Sequence, residues 1–149
     1  MNEFQISRIK HTYDEEGTII LNDFLTKNET RNLIEEKGLE REYHPMKNSW
    51  RRKDIEALQI KKFIKNITGL KTSARLYEFS PGDYAIRHNR RISKMLCVIN
   101  ISSHKTSIGI DNEKIGLDHN SALIVRGPTT WWLRVGKTEK KIRLAVLEC

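Results

Sequence analysis

The sequence predicts an α+β fold in which two helices precede a double-stranded β-helix, or jelly roll, and pack on one of its sheets. Before Gly69 the apolar residues recur at helical spacing, whereas after it short apolar runs alternate with turn residues. Many short strands at close spacing are typical of a sandwich or barrel. The 149 residues fit one domain, which we expect to span 1–149, with a strand and helices over 1–69 and the jelly-roll core over 70–149.

The segment before Gly38 contains the strongest local signal. Residues 18–21 form an apolar run that predicts a strand. Thr26 is followed three residues later by Glu29, the spacing of a capping box, in which each side chain bonds the other residue's backbone amide. We therefore expect a helix over 27–37 that ends at Gly38, because glycine readily adopts the left-handed conformation found after a helix.

The second predicted helix covers 54–66 and ends at Gly69. Four apolar residues follow the spacing of one buried helix face, namely Ile60, Phe63, Ile64 and Ile67. Residues 40–52, which lie between the two helices, are expected to be irregular.

Eight strands are predicted after Gly69. They cover 74–79, 84–87, 93–101, 106–110, 114–117, 122–125, 131–135 and 142–147. Turn-forming residues separate several of them, at 80–83, 111–112, 118–120 and 127–128. Proline, glycine, aspartate and asparagine favour tight reversals of the chain at such positions.

The chain carries a formal net charge of +8. A positive field of that size favours anionic partners, including nucleic acid, although a charged surface can also serve solubility alone. No apolar run approaches the roughly 20 residues of a membrane span, and residues 1–10 lack the apolar core of a secretory signal. We therefore expect a cytoplasmic protein without a membrane partner. Its two cysteines, Cys97 and Cys149, lack the spacing of a zinc site.

Residues 47–53 combine four cations with one aromatic side chain. Clustered cations around an aromatic ring are typical of nucleic-acid-binding surfaces. The candidate residues for such binding are Trp50, Arg51, Arg52 and Lys53. A solvated loop and helix face would explain the same pattern.

Trp131 and Trp132 stand side by side in a predicted strand. Because side chains alternate along a strand, one ring should face the interior and the other the outside. The outward ring is a candidate stacking surface for a nucleobase or a part of a protein interface. A partly covered surface tryptophan is the alternative.

Two stretches resemble the 2-oxoglutarate/Fe(II) oxygenases, in particular their prolyl-hydroxylase-like branch. Residues 19–26, Ile-Ile-Leu-Asn-Asp-Phe-Leu-Thr, are similar to the strand and turn with which that family enters its first helix. Residues 76–84, Leu-Tyr-Glu-Phe-Ser-Pro-Gly-Asp-Tyr, are similar to the passage that leads to the metal site. The resemblance covers most of the chain and implies the double-stranded β-helix, with His88 as the first metal ligand.

The chemistry implied by the resemblance needs two histidines and one carboxylate on one face of Fe(II), with 2-oxoglutarate on the open face. The sequence departs from that pattern. Arg90 stands where the carboxylate belongs, and a guanidinium cannot ligate iron. No histidine stands near the start of the 131–135 strand, where the distal ligand belongs. Arg143 matches the cosubstrate-binding arginine in position.

We therefore expect no cofactor, with Fe(II) and 2-oxoglutarate bound only if the family chemistry survives with other ligands. His104 and His119 are the histidines that would have to substitute, and both lie in predicted turns. Asp83 and Asp111 are the carboxylates that an altered iron site would need near His88.

A jelly roll without its metal retains a pocket at the barrel mouth. The residues expected near it are Arg87, His88, Arg90, Arg91 and either Arg134 or Arg143. Inward-facing guanidinium groups there would bind a phosphate, a carboxylate or an RNA backbone. Alternatively, these arginines only border the sheet and prevent its pairing with other chains.

The leading hypothesis is a catalytically degenerate oxygenase-like domain that acts as a binding or scaffold protein for an anionic or protein partner. The alternatives are an active oxygenase with non-standard metal ligands and an RNA- or DNA-binding accessory protein. A cupin-like protein is a further alternative, because Gly82 lies six residues before His88 as in cupins, although the His-x-His that follows there is missing.

Overall fold

The computed structural model describes residues 2–44, 48–88 and 94–149. Its helices are α1 (Glu3–Glu16), α2 (Lys27–Glu35) and α3 (Leu58–Thr68). Its strands are β1 (Thr18–Leu21), β2 (Glu40–His44), β3 (Asn48–Ile55), β4 (Ser73–Phe79), β5 (Tyr84–His88), β6 (Met95–Asn100), β7 (Thr106–Ile110), β8 (Glu113–Leu117), β9 (Ser121–Arg126), β10 (Thr130–Arg134) and β11 (Ile142–Glu148). No helix in the described residues is long and apolar enough to cross a membrane.

The strands pair in the order β1-β9-β6-β11-β4-β3-β5-β10-β7-β8, with β2 beside β3. The order turns back on itself at β3, which pairs with both β4 and β5. We call β4, β11, β6, β9 and β1, together with β3 and β2, the helix-covered sheet. We call β5, β10, β7 and β8 the open sheet. This α+β double-stranded β-helix confirms the predicted fold class, and all eight strands predicted after Gly69 are present.

The outer face of the helix-covered sheet packs against the helices. This core joins Leu33 of α2 and Ile64 of α3 to Cys97 of β6 and Ala145 of β11. Alternation along each strand sends the neighbouring side chains to the opposite face. The helices therefore protect one side of this sheet from water.

The barrel interior lies between the two sheets. Tyr77 and Leu144 of the helix-covered sheet share one core there with Ile108, Leu117 and Trp131 of the open sheet. Each of these five side chains is at most 1 % exposed. Side chains thus fill the interior, and the outer face of the open sheet is the one that carries no helix in the described part of the chain.

Helix α1 is absent from the sequence prediction. Asn2 and Gln5 form a reciprocal capping box at its start, with both bonds at 2.9 Å. Tyr13 is buried, and Ile6 and Ile9 pack against the same core. The spacing of these three residues is that of one helix face, so the signal was present and was missed.

The expectation that residues 40–52 are irregular was wrong. Those that the structure describes, 40–44 and 48–52, contribute to β2 and β3, which pair antiparallel, and β3 also pairs with β4 from Arg51 to Ile55. The charged residues of this segment show no apolar alternation. Backbone pairing with β4, which lies far along the chain, determines their structure.

Helix α2 begins as predicted. The Thr26 hydroxyl accepts the Glu29 amide at 3.2 Å and the Glu29 carboxylate accepts the Thr26 amide at 3.0 Å. The predicted end at 37 was wrong, because the helix stops at Glu35. Arg143, which reaches across from β11, donates to the carbonyl oxygens that end this helix.

Helix α3 has the predicted buried face but starts later than predicted. Ile60, Ile64 and Ile67 are buried, and Gly69 ends the helix with φ of 75°. The start predicted at 54 was wrong, because β3 continues to Ile55.

Candidate functional site

Trp131 occupies the inward-facing position near the start of β10, where the resemblance implies a distal histidine. The side chain is fully buried. Its ring lies edge-on to the rings of Tyr77 and Phe79, with centroids 5.4 and 6.5 Å away. Trp50 joins the cluster with its ring 6.3 Å from that of Tyr77. Aromatic rings therefore fill the barrel interior beside β10.

The described residues do not fit an iron site of two histidines and one carboxylate. Among them, no group of three histidine, cysteine, aspartate or glutamate side chains lies close enough to hold a metal. Asp83 accepts the Ser80 amide at 2.8 Å and lies 3.5 Å from an Arg41 nitrogen. Asp111 accepts the Thr130 amide at 2.9 Å. Asp83 is thus held by its own turn and by Arg41, and Asp111 by the start of β10.

The neighbourhood of His88 is described only in part. Its backbone pairs with Thr130, and the backbone of Arg87 pairs with Trp131. The side chain of His88 lies outside the described part of the structure, as do Arg90 and Arg91 altogether. The role of His88 as a metal ligand and those of Arg90 and Arg91 in anion binding therefore stay predictions.

Arg143 faces the helices and not the barrel interior. Its Nη1 donates to the carbonyl oxygens of Leu33 and Ile34, both at 2.6 Å, and of Glu36 at 3.2 Å. Its Nη2 donates to the Glu78 carboxylate at 2.8 Å. Only 15 % of the arginine side chain is exposed. Its geometry explains the end of α2 and gives no support to the predicted contact with a cosubstrate carboxylate.

The basic segment Trp50–Lys53 does not form one surface. Trp50 is buried in the barrel interior. Lys53 pairs with the Glu36 carboxylate and donates to the Lys37 carbonyl oxygen at 2.8 Å. Arg51 is exposed and Arg52 is partly buried. The structure therefore disperses this predicted nucleic-acid footprint over both faces of β3.

Trp132 lies on the outer face of the open sheet. It pairs with Gly109, which pairs with Lys114, so the three residues form one rung across β10, β7 and β8. A Cβ atom at Gly109 would lie 1.8 Å from the indole ring, which means that the ring rests directly on the glycine backbone. The indole nitrogen donates to the Asp111 carbonyl oxygen at 3.0 Å. The ring is thus fixed in place.

A groove of about 440 Å³ opens beside this ring. Ser107 lies in its floor and pairs with Gly116 on the next rung. Because these residues are so small, the outer face of the sheet is concave here. We call this feature the Trp132 groove and define it by its lining side chains: His104, Lys105, Thr106, Ser107, Lys114, Trp132, Leu133, Arg134, Thr138, Glu139, Lys140 and Ile142.

Four exposed cations line the Trp132 groove: Lys105, Lys114, Arg134 and Lys140. Glu139 is the single acidic residue of the lining. No carboxylate among the described residues lies within ion-pair distance of any of the four cations. The Lys114 ammonium instead lies 5.8 Å from the centre of the Trp132 ring. The groove therefore concentrates positive charge, with four cations against one carboxylate and no ion pair to any of the four from the part of the chain that the structure describes.

His104 adds an unused polar atom to this groove. Its Nδ1 is buried and has no hydrogen-bond partner among the residues that the structure describes. The other candidate histidine, His119, has its Nδ1 2.6 Å from the Ser102 carbonyl oxygen. The two turn histidines thus lie in different surroundings, and only His104 lines the groove.

Three residues of the groove were named from the sequence, namely Trp132 and Arg134 as candidate binding residues and His104 as a substitute metal ligand, and the rest were missed. The signal that could have shown them is the alternation of small with large residues over 106–110. It places Ser107 and Gly109 on the face opposite Ile108 and Ile110. A strand face that carries only small side chains indicates a recess when the neighbouring strand carries a tryptophan.

Comparison with solved structures supports the fold. A prolyl-4-hydroxylase from Pseudomonas putida superposes with a TM-score of 0.70 at 9% identity, over 97% of this chain and 97% of that chain. A prolyl hydroxylase from Trichoplax adhaerens, in complex with a hypoxia inducible factor peptide, has a TM-score of 0.70 at 10% identity, over 99% and 93%. A cupin 2 barrel protein from Rhodopseudomonas palustris has a TM-score of 0.54 at 10% identity, over 74% and 70%. No protein-family model and no curated protein matches the sequence.

The chain thus has the fold of the prolyl-hydroxylase-like 2-oxoglutarate/Fe(II) oxygenases over nearly its whole length. At such low identity the likeness concerns the fold, and function must be argued from the site itself.

Proposed function

We propose that this protein is a catalytically degenerate domain with the 2-oxoglutarate/Fe(II) oxygenase fold, and that it works by binding an anionic partner in the Trp132 groove. The observation that carries the proposal is the groove's charge. Four exposed cations surround a recess, and none of them has an ion-pair partner among the described residues.

The barrel interior supports the proposal that the domain is catalytically degenerate. Trp131 stands in place of an inward-facing distal ligand, and an indole ring offers no lone pair to a metal. The ring packs against Tyr77 and Phe79, so the side chains that surround it are apolar. An interior of this kind disfavours a charged iron site, because ions are costly to remove from water without matching ligands.

The position of the Trp132 groove, on the outer face of the open sheet, supports the proposal that an anion binds there. Charge-assisted hydrogen bonds from lysine and arginine to phosphate or carboxylate oxygens are among the strongest that proteins make. A cation with no ion-pair partner on the protein does not have to break a salt bridge before it binds a ligand. The concave floor at Ser107 would bring an anion close to several cations together.

Calorimetric titration with two kinds of ligand tests both halves. Metal-free protein is titrated at low salt with Mn(II), with and without 2-oxoglutarate, and separately with tripolyphosphate. We expect heat of binding with tripolyphosphate and none with Mn(II), whether or not 2-oxoglutarate is present. Binding of Mn(II) and 2-oxoglutarate at one site would favour an active oxygenase with other ligands and would contradict the degenerate half.

Matched charge variants locate the anion site. The double variant Lys105→Gln/Arg134→Gln removes two groove cations, whereas Lys65→Gln/Lys71→Gln removes two exposed cations that do not line the groove. Both variants have the same net charge. The proposal requires the first to weaken tripolyphosphate binding much more than the second, and equal weakening would reduce the interaction to the overall positive field.

A further inference from the structure

The Trp132 groove has a second chemical property besides its charge, namely a flat aromatic ring held in a fixed orientation. We propose that the groove binds a nucleoside phosphate unit, with the base on the Trp132 ring and the phosphate among the groove cations. This inference rests on the proposed function, because it assumes that the groove is an anion site, and it adds the class of ligand.

The sheet holds the Trp132 ring in a fixed orientation. One face of the Trp132 indole lies on Gly109, so the sheet supports the ring as a platform. The bond from its nitrogen to the Asp111 carbonyl oxygen prevents the ring from turning. A base that stacks on a fixed ring loses less of its interaction energy to ordering the protein than one that stacks on a mobile ring. Stacking on aromatic side chains tolerates any base, since every base has a π-face.

The Trp132 ring also has an open side that a ligand can reach. Trp132 is partly exposed, and the Lys114 ammonium lies 5.8 Å from the ring centre. That lysine is itself exposed on a flexible side chain. A base can take its place on the ring while the ammonium moves to a phosphate oxygen, which exchanges a cation–π contact for a stacking contact and an ion pair.

The cations of the groove come from separate segments of the chain. Lys105 precedes β7, whereas Arg134 ends β10 and Lys140 lies in the loop that follows it. The cations therefore come from two sides of the groove, and the ring lies in the same recess. A volume of about 440 Å³ is within the usual range for small-ligand sites, roughly 300 to 1,000 Å³. An anion without a flat apolar part would leave the ring unused.

A free nucleotide and a single strand of nucleic acid both contain this unit, and the experiment separates them. Fluorescence anisotropy measures binding of labelled oligo-dT and of an abasic deoxyribose-phosphate strand of equal length. Unlabelled dTMP is tested as a competitor. The abasic strand is the matched control, because it keeps the phosphates and lacks the bases.

We expect wild-type protein to bind oligo-dT more tightly than the abasic strand, by roughly 5-fold to 100-fold, which is the usual effect of one stacked base. Trp132→Leu should abolish that preference, and Trp132→Phe should keep most of it. The ratio of the two affinities is measured within each variant, so partial unfolding lowers both alike. Competition by dTMP would identify a free nucleotide as sufficient, whereas failure to compete would identify the strand as the ligand.

Equal affinity of wild-type protein for the two strands would overturn this inference. If Lys105→Gln/Arg134→Gln still weakened both strands, the anion site of the proposed function would stand without the base. If neither strand nor dTMP bound at low salt, the nucleoside phosphate would be excluded, and the tripolyphosphate titration would decide separately on the anion site.

Discussion

Arg134 and Arg143 lie on successive strands of the barrel, and the protein treats them in opposite ways. Arg143 is 15 % exposed, pairs with Glu78 and donates to three carbonyl oxygens at the end of α2. Arg134 is exposed and has no carboxylate within ion-pair distance among the described residues. The first guanidinium stabilises the fold, whereas the second remains available to a ligand.

The comparison extends to the two adjacent tryptophans of β10. Trp131 faces inward and packs with Tyr77 and Phe79, while Trp132 faces outward onto Gly109. At the inward-facing position of β10, where the resemblance implies a distal histidine, this chain has an aromatic core. Where the open sheet faces solvent, it has a charged recess. The two rings show that one strand can supply a side chain to the core and the next side chain to an outer recess, because side chains alternate between the faces of a sheet.

The largest effect on stability should come from replacing Arg143, the arginine that pairs with Glu78. Arg143→Met leaves the α2 carbonyls without their donor and, among the described residues, leaves the Glu78 carboxylate with only the Lys141 ammonium, 3.9 Å away. We expect the free energy of unfolding to fall by about 3 kcal/mol, toward the lower end of the range for a broken buried pair because both side chains retain some exposure. Urea denaturation measures this loss. Arg134→Met is the control, and its expected change stays within about 0.5 kcal/mol, as for an ordinary surface position.

An equal and small cost of the two arginine variants would contradict the comparison. It would mean that Arg143 contributes little to the fold.

A smaller effect should follow from filling the floor under Trp132. In Gly109→Ala the new methyl group would lie 1.8 Å from the indole ring, so the ring must leave its place and lose its bond to Asp111. We expect a destabilisation of about 1 to 3 kcal/mol, as for other overpacked sites, together with weaker tripolyphosphate binding. Thermal unfolding and calorimetry measure the two effects.

Gly116→Ala is the matched control for the floor. Its added methyl group would meet the end of the Lys105 side chain at 2.8 Å, and that flexible chain can move away. We expect stability to change by less than about 0.5 kcal/mol. If both glycine variants lost the same stability, the place of the Trp132 ring would not depend on Gly109.

The smallest effect on stability should come from the groove cations, whose contribution is to binding. The affinity for the abasic strand should fall as salt rises, with a slope of roughly −0.7 in log–log form for each phosphate neutralised. Lys105→Gln/Arg134→Gln should therefore reduce the magnitude of the slope by about 1.4. Binding isotherms between low and moderate salt give this number, and Lys65→Gln/Lys71→Gln should leave the slope nearly unchanged.

The sequence predicts the barrel well because its signals there are local. Strands such as β4 and β11 carry apolar runs, and turn residues such as those at 80–83 separate them. The Thr26–Glu29 box is likewise contained in four residues. By contrast, β3 is charged and exists because β4 and β5 pair with it. A sequence pattern that considers only near neighbours contains no trace of such pairing.

The groove was harder to predict for the same reason. Lys105, Lys114 and Arg134 come from three separate segments, and only the register of β10 with β7 and of β7 with β8 brings them to one recess. The resemblance correctly implied the fold. It directed attention to Arg143, whose side chain faces the helices. Which face of a strand a side chain occupies depends on register, and the register became known only with the structure.

The three tryptophans provide the most direct test of the claim that binding occurs outside the barrel. Their indole N–H signals are followed in a ¹H–¹⁵N spectrum of the intact protein during titration with tripolyphosphate, and Trp132→Phe assigns the groove signal. We expect the chemical shift of the Trp132 signal to change while those of Trp50 and Trp131 remain unchanged. Shifts at Trp50 and Trp131 with Trp132 unmoved would put the ligand in the barrel interior and contradict the account.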